Sequence, residues 1–181
     1  MKKPCIIEPL VLILVVVALS LGGCAPISLN YSPSSAMTAS GSFSVSDFKY
    51  MPAIEGKVKP DQIKNTALGS FIVDKNIDVF FKEAVFKEFR FVGIKMEDKN
   101  KILGGEIQEF LVDDLGFRVD WTLRVKYELF NKQTGTLIYE TTKLTQRRTQ
   151  KFANPFGDLN ETVKLNIEEL LKDRQFADAI K

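Results

Sequence analysis

The chain has 181 residues, 45% hydrophobic and 27% charged, with a formal net charge of +2. That length suits one ordinary domain plus a targeting segment, and so small a charge gives no electrostatic case for nucleic acid as a partner. Histidine is absent and the only cysteines are Cys5 and Cys24, which excludes His-based catalysis and most zinc sites.

Lys2 and Lys3 form a short positive start, and Leu10 to Leu19 is an unbroken apolar run (LVLILVVVAL). A run of ten residues suits a secretory signal and falls short of the roughly 20 needed for a permanent membrane span. Leu21-Gly22-Gly23-Cys24 follows. Small residues before a cysteine fit an extended peptidase cleft, and a thiol is the nucleophile that a thioether-linked lipid requires. Leu21-Gly22-Gly23-Cys24 resembles the lipobox of bacterial lipoproteins, which implies that residues 1–23 are a signal peptide cut between Gly23 and Cys24; the alternative is an uncleaved N-terminal anchor or an ordinary signal with a chance cysteine. Cys24 would then carry diacylglycerol and an N-acyl chain, whose burial is worth about 0.8 kcal/mol per methylene. Cleavage removes Lys2, Lys3 and Glu8, leaving a net charge of +1 and no free thiol. No disulfide framework is then possible.

Residues 24–41 are rich in Ser, Ala and Pro and uncharged. They read as the lipidated cysteine and a flexible tether, since they bury too little apolar surface to offset ordering. The alternative is an edge strand folded onto the domain around Ile27 to Tyr31. Residues 42–181 are expected to form a single domain. Ser42 to Tyr50 is β-rich and reads as a first strand, residues 51–65 as a loop, and Thr66 to Val73 as a second strand.

A helix is predicted from Asp74, with Ile77, Phe80, Phe81, Ala84, Val85 and Phe89 at helical spacing and Gly93 just past its end. Ile102 to Val112 reads as a strand with Gly104-Gly105 as a bulge or close-packing point. Asp113 to Gly116 makes a turn. Phe117 to Phe130 alternates strictly: Phe117, Val119, Trp121, Leu123, Val125, Tyr127 and Leu129 lie on one face. After a turn at Asn131 to Gly135, Thr136 to Gln150 returns as a strand. Asn154 to Gly157 breaks the chain, and a last helix runs from about Leu159 with Val163, Ile167, Leu170 and Leu171 inward. Its phase shifts near Asp173, so Phe176, Ala177 and Ile180 belong to a kinked or separate turn. The fold class is α+β, an antiparallel sheet with two helices packed on one face.

No constellation points to catalysis or to a metal. Asp113, Asp114 and Asp120 are the densest acids, but adjacent turn carboxylates diverge and are commonly solvated. Glu168-Glu169 reads as the wet face of the last helix. Arg147, Arg148 and Lys151 form a basic patch that would suit lipid phosphates or a partner protein; the alternative is a charged strand end that discourages edge pairing. No catalytic residue, metal ligand or cofactor other than the covalent lipid is expected.

Gly105-Glu106-Ile107-Gln108-Glu109-Phe110, the strand Trp121 to Phe130, Gly135 and the helix Asn160 to Leu171, behind a lipobox and a Ser-rich segment, resemble the YajG-like lipoproteins. Similar architecture occurs in LptE-like auxiliary lipoproteins of envelope lipid transport. The resemblance implies a non-enzymatic accessory held at a membrane, binding a protein or lipid partner. Ala25 after the cysteine, in place of Asp, implies the outer membrane facing the periplasm. The competing reading is a small-molecule binder or an atypical enzyme using carboxylates and Tyr, which requires an aromatic-lined pocket with converging polar groups.

Overall fold

A computed structural model describes residues 28–151 and 154–181. The lipobox, Cys24 and the proposed cleavage point lie outside the described residues. The elements in chain order are β1 (Ser44–Tyr50), α1 (Met51–Ile54), β2 (Gln62–Asn65), β3 (Gly69–Ile72), α2 (Ile77–Phe91), β4 (Lys101–Asp113), β5 (Arg118–Asn131), β6 (Leu137–Gln150), α3 (Pro155–Leu171) and α4 (Arg174–Ala179).

The class is α+β, and the sheet has six strands. It is mixed, where an antiparallel sheet was expected. β4, β5 and β6 form the predicted antiparallel meander, whereas β1 and β2 both pair with β4 in parallel. β1 takes the first half of that edge, from Ile102 to Ile107, and β2 takes Leu111 and Val112. The turn of α1, opened by Pro52 in its first turn, carries the chain from one half-edge to the other. β2, placed inside a predicted loop, then folds back on β3 as a short hairpin.

Gly104 and Gly105 let β4 be crowded on both sides. A Cβ on Gly104 would stand 2.1 Å from Ser46 Oγ, and one on Gly105, at φ +148°, 1.9 Å from Lys126 O. At Gly105 the obstacle is backbone and φ is positive, so no other residue fits, whereas at Gly104 the Ser46 hydroxyl would have to turn aside. The β1–β4 register shifts at Gly104, between the partners of Val45 and Phe48, and the β4–β5 register shifts between Ile107 and Glu109.

The helices cover one face of the sheet. α2 packs on β1, and α3 packs on β5 and β6 beside α2. Aromatic rings join the layers edge to face: Phe48 with Phe81 at 5.0 Å and Phe43 with Phe89 at 5.0 Å. Such contacts add about 0.5–1.5 kcal/mol each beyond area burial. Phe176 of α4 sits between Phe43, Phe89 and Tyr139, so the chain's last turn closes the core as a separate helix. Asp173 caps it, accepting from Gln175 N and Phe176 N.

Two helix starts differ from the prediction. α2 begins at Ile77 with Asn76 before it, because Asp74 is turned to accept Leu29 N at 2.7 Å. α3 begins at Pro155, where a break was expected. Asn154 accepts from Phe156 N and Gly157 N, and Pro at the first position loses nothing by lacking an N–H. Phe117, counted on the inward face of β5, is instead 99% exposed. It lies one residue beyond the last paired position, Arg118 opposite Gln150.

The described part of the expected tether, residues 28–41, is a strap laid along α2. Leu29 and Tyr31 are fully or almost fully buried. Glu88, buried on α2, accepts the Tyr31 hydroxyl, Ser35 N at 2.7 Å and Ser34 N at 3.3 Å. Burial and the neighbouring Glu88 push the Tyr31 hydroxyl well above the usual tyrosine range. The strap ends where Ala39 N donates to Val92 O, beside Gly93 at φ +106°. Serines that look like linker sequence here supply backbone donors to a buried carboxylate.

Candidate functional site

β-strand alternation separates the basic residues near the end of β6. Arg147, opposite Trp121, turns to the helix layer and donates to Asp158 O at 2.8 Å and to Thr162 Oγ1 at 3.4 Å. Arg148 points to the other face, where its guanidinium grips Asp120 through Nε at 2.6 Å and Nη2 at 2.9 Å. That bidentate pair holds the Asp120 carboxyl below the usual carboxylate range and raises Arg148. Lys151 donates to Asp114 O and Gly116 O across the next turn. The three cations therefore occupy three places, each with protein partners.

Asp113 and Asp120 stand opposite each other in the β4–β5 ladder, and each of the three acids has its own partner. Thr66 Oγ1 donates to Asp113 at 2.7 Å, Ala67 N donates to Asp114 Oδ1 at 3.1 Å, and Asp114 N donates to Thr66 Oγ1 at 3.1 Å. These bonds stitch the β2–β3 hairpin tip to the β4–β5 tip. Among the described residues no group of three acidic or cysteine side chains is placed to hold a metal ion. The outer face of the sheet carries Lys126 between Glu128 at 2.9 Å and Glu140 at 2.8 Å, and those carboxylates raise its pKa.

A groove between β1 and the outer side of α2 encloses about 550 Å³. Its walls are Val45, Phe48, Val79, Phe86 and Met96, with the Lys82–Asp47 ion pair of 2.7 Å reaching from one wall to the other. A second hollow continues past Phe86 and Met96 to Arg90 and Asp98. This groove is not among the features expected from the sequence. The signal was present in Val79 and Phe86, seven residues apart and so on one side of the helix, away from the buried stripe. Both are exposed, at 47% and 38%.

Two further polar clusters brace the helix layer. Asn166 of α3 is fully buried; it accepts from Tyr127 Oη at 2.8 Å and donates to Leu123 O, Lys143 O and Thr145 Oγ1. Asp173, ahead of α4, accepts from Tyr139 Oη and Lys143 Nζ, both at 2.7 Å. Burial alone would raise the Asp173 carboxyl, but the Lys143 and Tyr139 hydrogen bonds outweigh it and bring the pKa down to about 2. These groups hold elements together and converge on no open space.

Fold and surface together define an α+β domain with open grooves along one helix, in which no described helix is long and apolar enough to cross a membrane. Protein XCC0632 from Xanthomonas campestris, of family DUF330, shares this fold: TM-score 0.63 at 13% identity, covering 86% of this chain and 95% of that one. Weaker likenesses are the hypothetical protein CT253 from Chlamydia trachomatis, TM-score 0.46 at 11% identity over 78% and 94% of the two chains, and lipoprotein GNA1162 from Neisseria meningitidis, TM-score 0.32 at 12% identity over 71% and 99%. No protein-family model and no curated protein matches the chain. At these identities the likeness defines architecture and leaves chemistry to the residues themselves.

Proposed function

We propose that the protein is a lipid-anchored, non-catalytic accessory of the bacterial envelope, acylated on Cys24 and held at the outer membrane facing the periplasm. One observation carries this reading: an apolar run of signal length ends in Leu21-Gly22-Gly23-Cys24, ahead of a domain whose strap is already buried on α2 at Leu29 and Tyr31. The resemblance to YajG-like and LptE-like lipoproteins supports the same role, with a protein or lipid partner and no cofactor beyond the covalent acyl chains. Metabolic labelling with palmitate tests it. The wild-type protein takes up label and sediments with membranes, and Cys24→Ala leaves an unlabelled precursor or a released domain. Unchanged labelling of Cys24→Ala would refute the assignment.

The groove beside α2 favours a second reading, a small apolar ligand held between Phe48, Val79 and Phe86 under the Lys82–Asp47 pair. A fatty-acyl fluorophore binding the wild type but not Phe86→Glu would support it. Equal binding to both would eliminate it.

A further inference from the structure

The most exposed large apolar side chains cluster at one end of the sheet. Leu68 at the β2–β3 tip is 75% exposed, and Leu115 and Phe117 at the β4–β5 tip are 72% and 99% exposed. The two tips move as one body, because Thr66 and Ala67 are hydrogen-bonded to Asp113 and Asp114. Lys151 ties down the carbonyls of Asp114 and Gly116 between Leu115 and Phe117. A rigid turn that spends its polar groups on its own neighbours, and presents three apolar side chains to solvent, is built to meet an apolar medium.

The start of the described chain lies at this same end. Asn160 Nδ2 donates to Asn30 O at 3.1 Å, so Asn30 lies against the beginning of α3. Asn160 stands five residues into that helix from Pro155, a rise of about 8 Å. Pro155 and Asp158 of α3 in turn line a hollow of about 260 Å³ with Leu68, Asp114, Val119 and Lys151. Cys24 precedes Ser28 by four residues, which reach at most about 14 Å. A segment of that length can carry the acylation point to the level of the apolar tip.

We propose that Leu68, Leu115 and Phe117 insert into the bilayer that receives the acyl chains of Cys24, giving the domain a second membrane contact and a fixed orientation. The inference rests on the acylation proposed above. The carboxylates at this end, Asp113, Asp114 and Asp120, are matched in number by Arg118, Arg148 and Lys151, so the tip presents no net negative charge to lipid headgroups. Insertion is apolar in origin and holds in neutral as well as anionic lipid. Two signals placed at one end act as neighbouring attachments, the second meeting the surface at high effective concentration.

The test uses the processed full chain in vesicles of phosphatidylethanolamine with phosphatidylglycerol. With Cys5 removed and Cys24 acylated, Gly116→Cys supplies a single thiol for a nitroxide. A side chain is tolerated there, since its Cβ would have no neighbour closer than 3.9 Å. Leu144→Cys, on the outer face of β6, is the control. At about tenfold for each buried side chain, three favour the inserted state by about a thousandfold, so nearly every copy is inserted. The nitroxide at 116 is therefore expected to lose most of its collisions with a water-soluble nickel chelate, about tenfold relative to 144. Adding Leu68→Glu, Leu115→Glu and Phe117→Glu, at positions that contribute little to the core, restores the collisions. Acylated protein whose 116 label stays as open to the chelate as 144 overturns the insertion alone. Shielding that rises with protein concentration and not with lipid assigns the tip to a second copy and also overturns it. An amino-terminal peptide of unmodified mass removes both the anchor and the insertion.

Discussion

Glu88→Ala cuts the bond between the strap and the domain. Glu88 is fully buried and accepts three donors: the Tyr31 hydroxyl, Ser35 N and, at a longer 3.3 Å, Ser34 N. Hydrogen bonds to charged groups are worth about 1.5–3 kcal/mol each, and a buried donor left alone costs a further share of its desolvation. Two good bonds and one weak one, plus the space vacated by the side chain, place the loss at about 3–5 kcal/mol. Glu88→Gln keeps an acceptor but sets its NH2 against one of the donors, so about 1–2 kcal/mol is expected. Tyr31→Phe removes one donor and leaves the carboxyl two partners, for about 1 kcal/mol. Urea unfolding gives the magnitudes, and hydrogen exchange localises them: amides 29–39 lose protection in Glu88→Ala while those of β5 keep theirs. A loss below about 1 kcal/mol, or a strap still protected in Glu88→Ala, would refute the account of how the segment is held.

Asn166→Ala leaves Tyr127 Oη without its acceptor and removes the Asn166 Nδ2 bonds to Leu123 O, Lys143 O and Thr145 Oγ1; denaturant unfolding should show a loss of about 3 kcal/mol, against about 1 for Tyr127→Phe. Asp173, only one-fifth exposed, has its pKa lowered to about 2. Its contribution, about 2 kcal/mol, is therefore complete above the ordinary carboxylate pKa and lost as pH falls through about 2. Asp173→Asn should flatten the melting temperature against pH between about 4 and 2, and an unchanged slope would contradict the assignment. Gly105→Ala drives a methyl to 1.9 Å from Lys126 O, whereas Gly135→Ala, at φ +69°, meets nothing within 4 Å. Soluble expression should fail for the first, and the second should lose about 1–2 kcal/mol of stability in denaturant unfolding.

The meander was legible because alternation over a dozen residues has one reading, a sheet with one wet face. Trp121 to Leu129 point inward as that pattern requires. The α2 stripe was equally plain at Ile77, Phe80, Phe81, Ala84, Val85 and Phe89. β2 was missed because four residues, QIKN, carry no period, and its strand state depends on a half-edge of β4 some 47 residues away. The strap was missed for a different reason. Ser34 and Ser35 are recruited through their backbone N–H groups, which no side-chain pattern records, by an acid that looked like part of a charged helix face. The groove was half visible in Val79 and Phe86, but its other wall, Val45 and Phe48, comes from a strand brought there only by the parallel pairing of β1 with β4. Arg147 and Arg148 read as one patch in the sequence and became two contacts on opposite faces, as strand geometry demands.

The divided edge of β4 bears on how the chain assembles as it is made. Synthesis proceeds from the amino terminus; until Lys101 to Asp113 has emerged, β1 has no sheet partner and β2 has only β3. Before then the nascent chain can form α2 and the four-residue ladder between β2 and β3, and nothing larger. Both parallel pairings span dozens of residues, so their loop-closure entropy must be met late and together. Chains arrested before Lys101 therefore have only the α2 rings Phe89 and Phe81 to set against Phe43 and Phe48, with no sheet beside them, and are the form in which a holding chaperone would meet this protein.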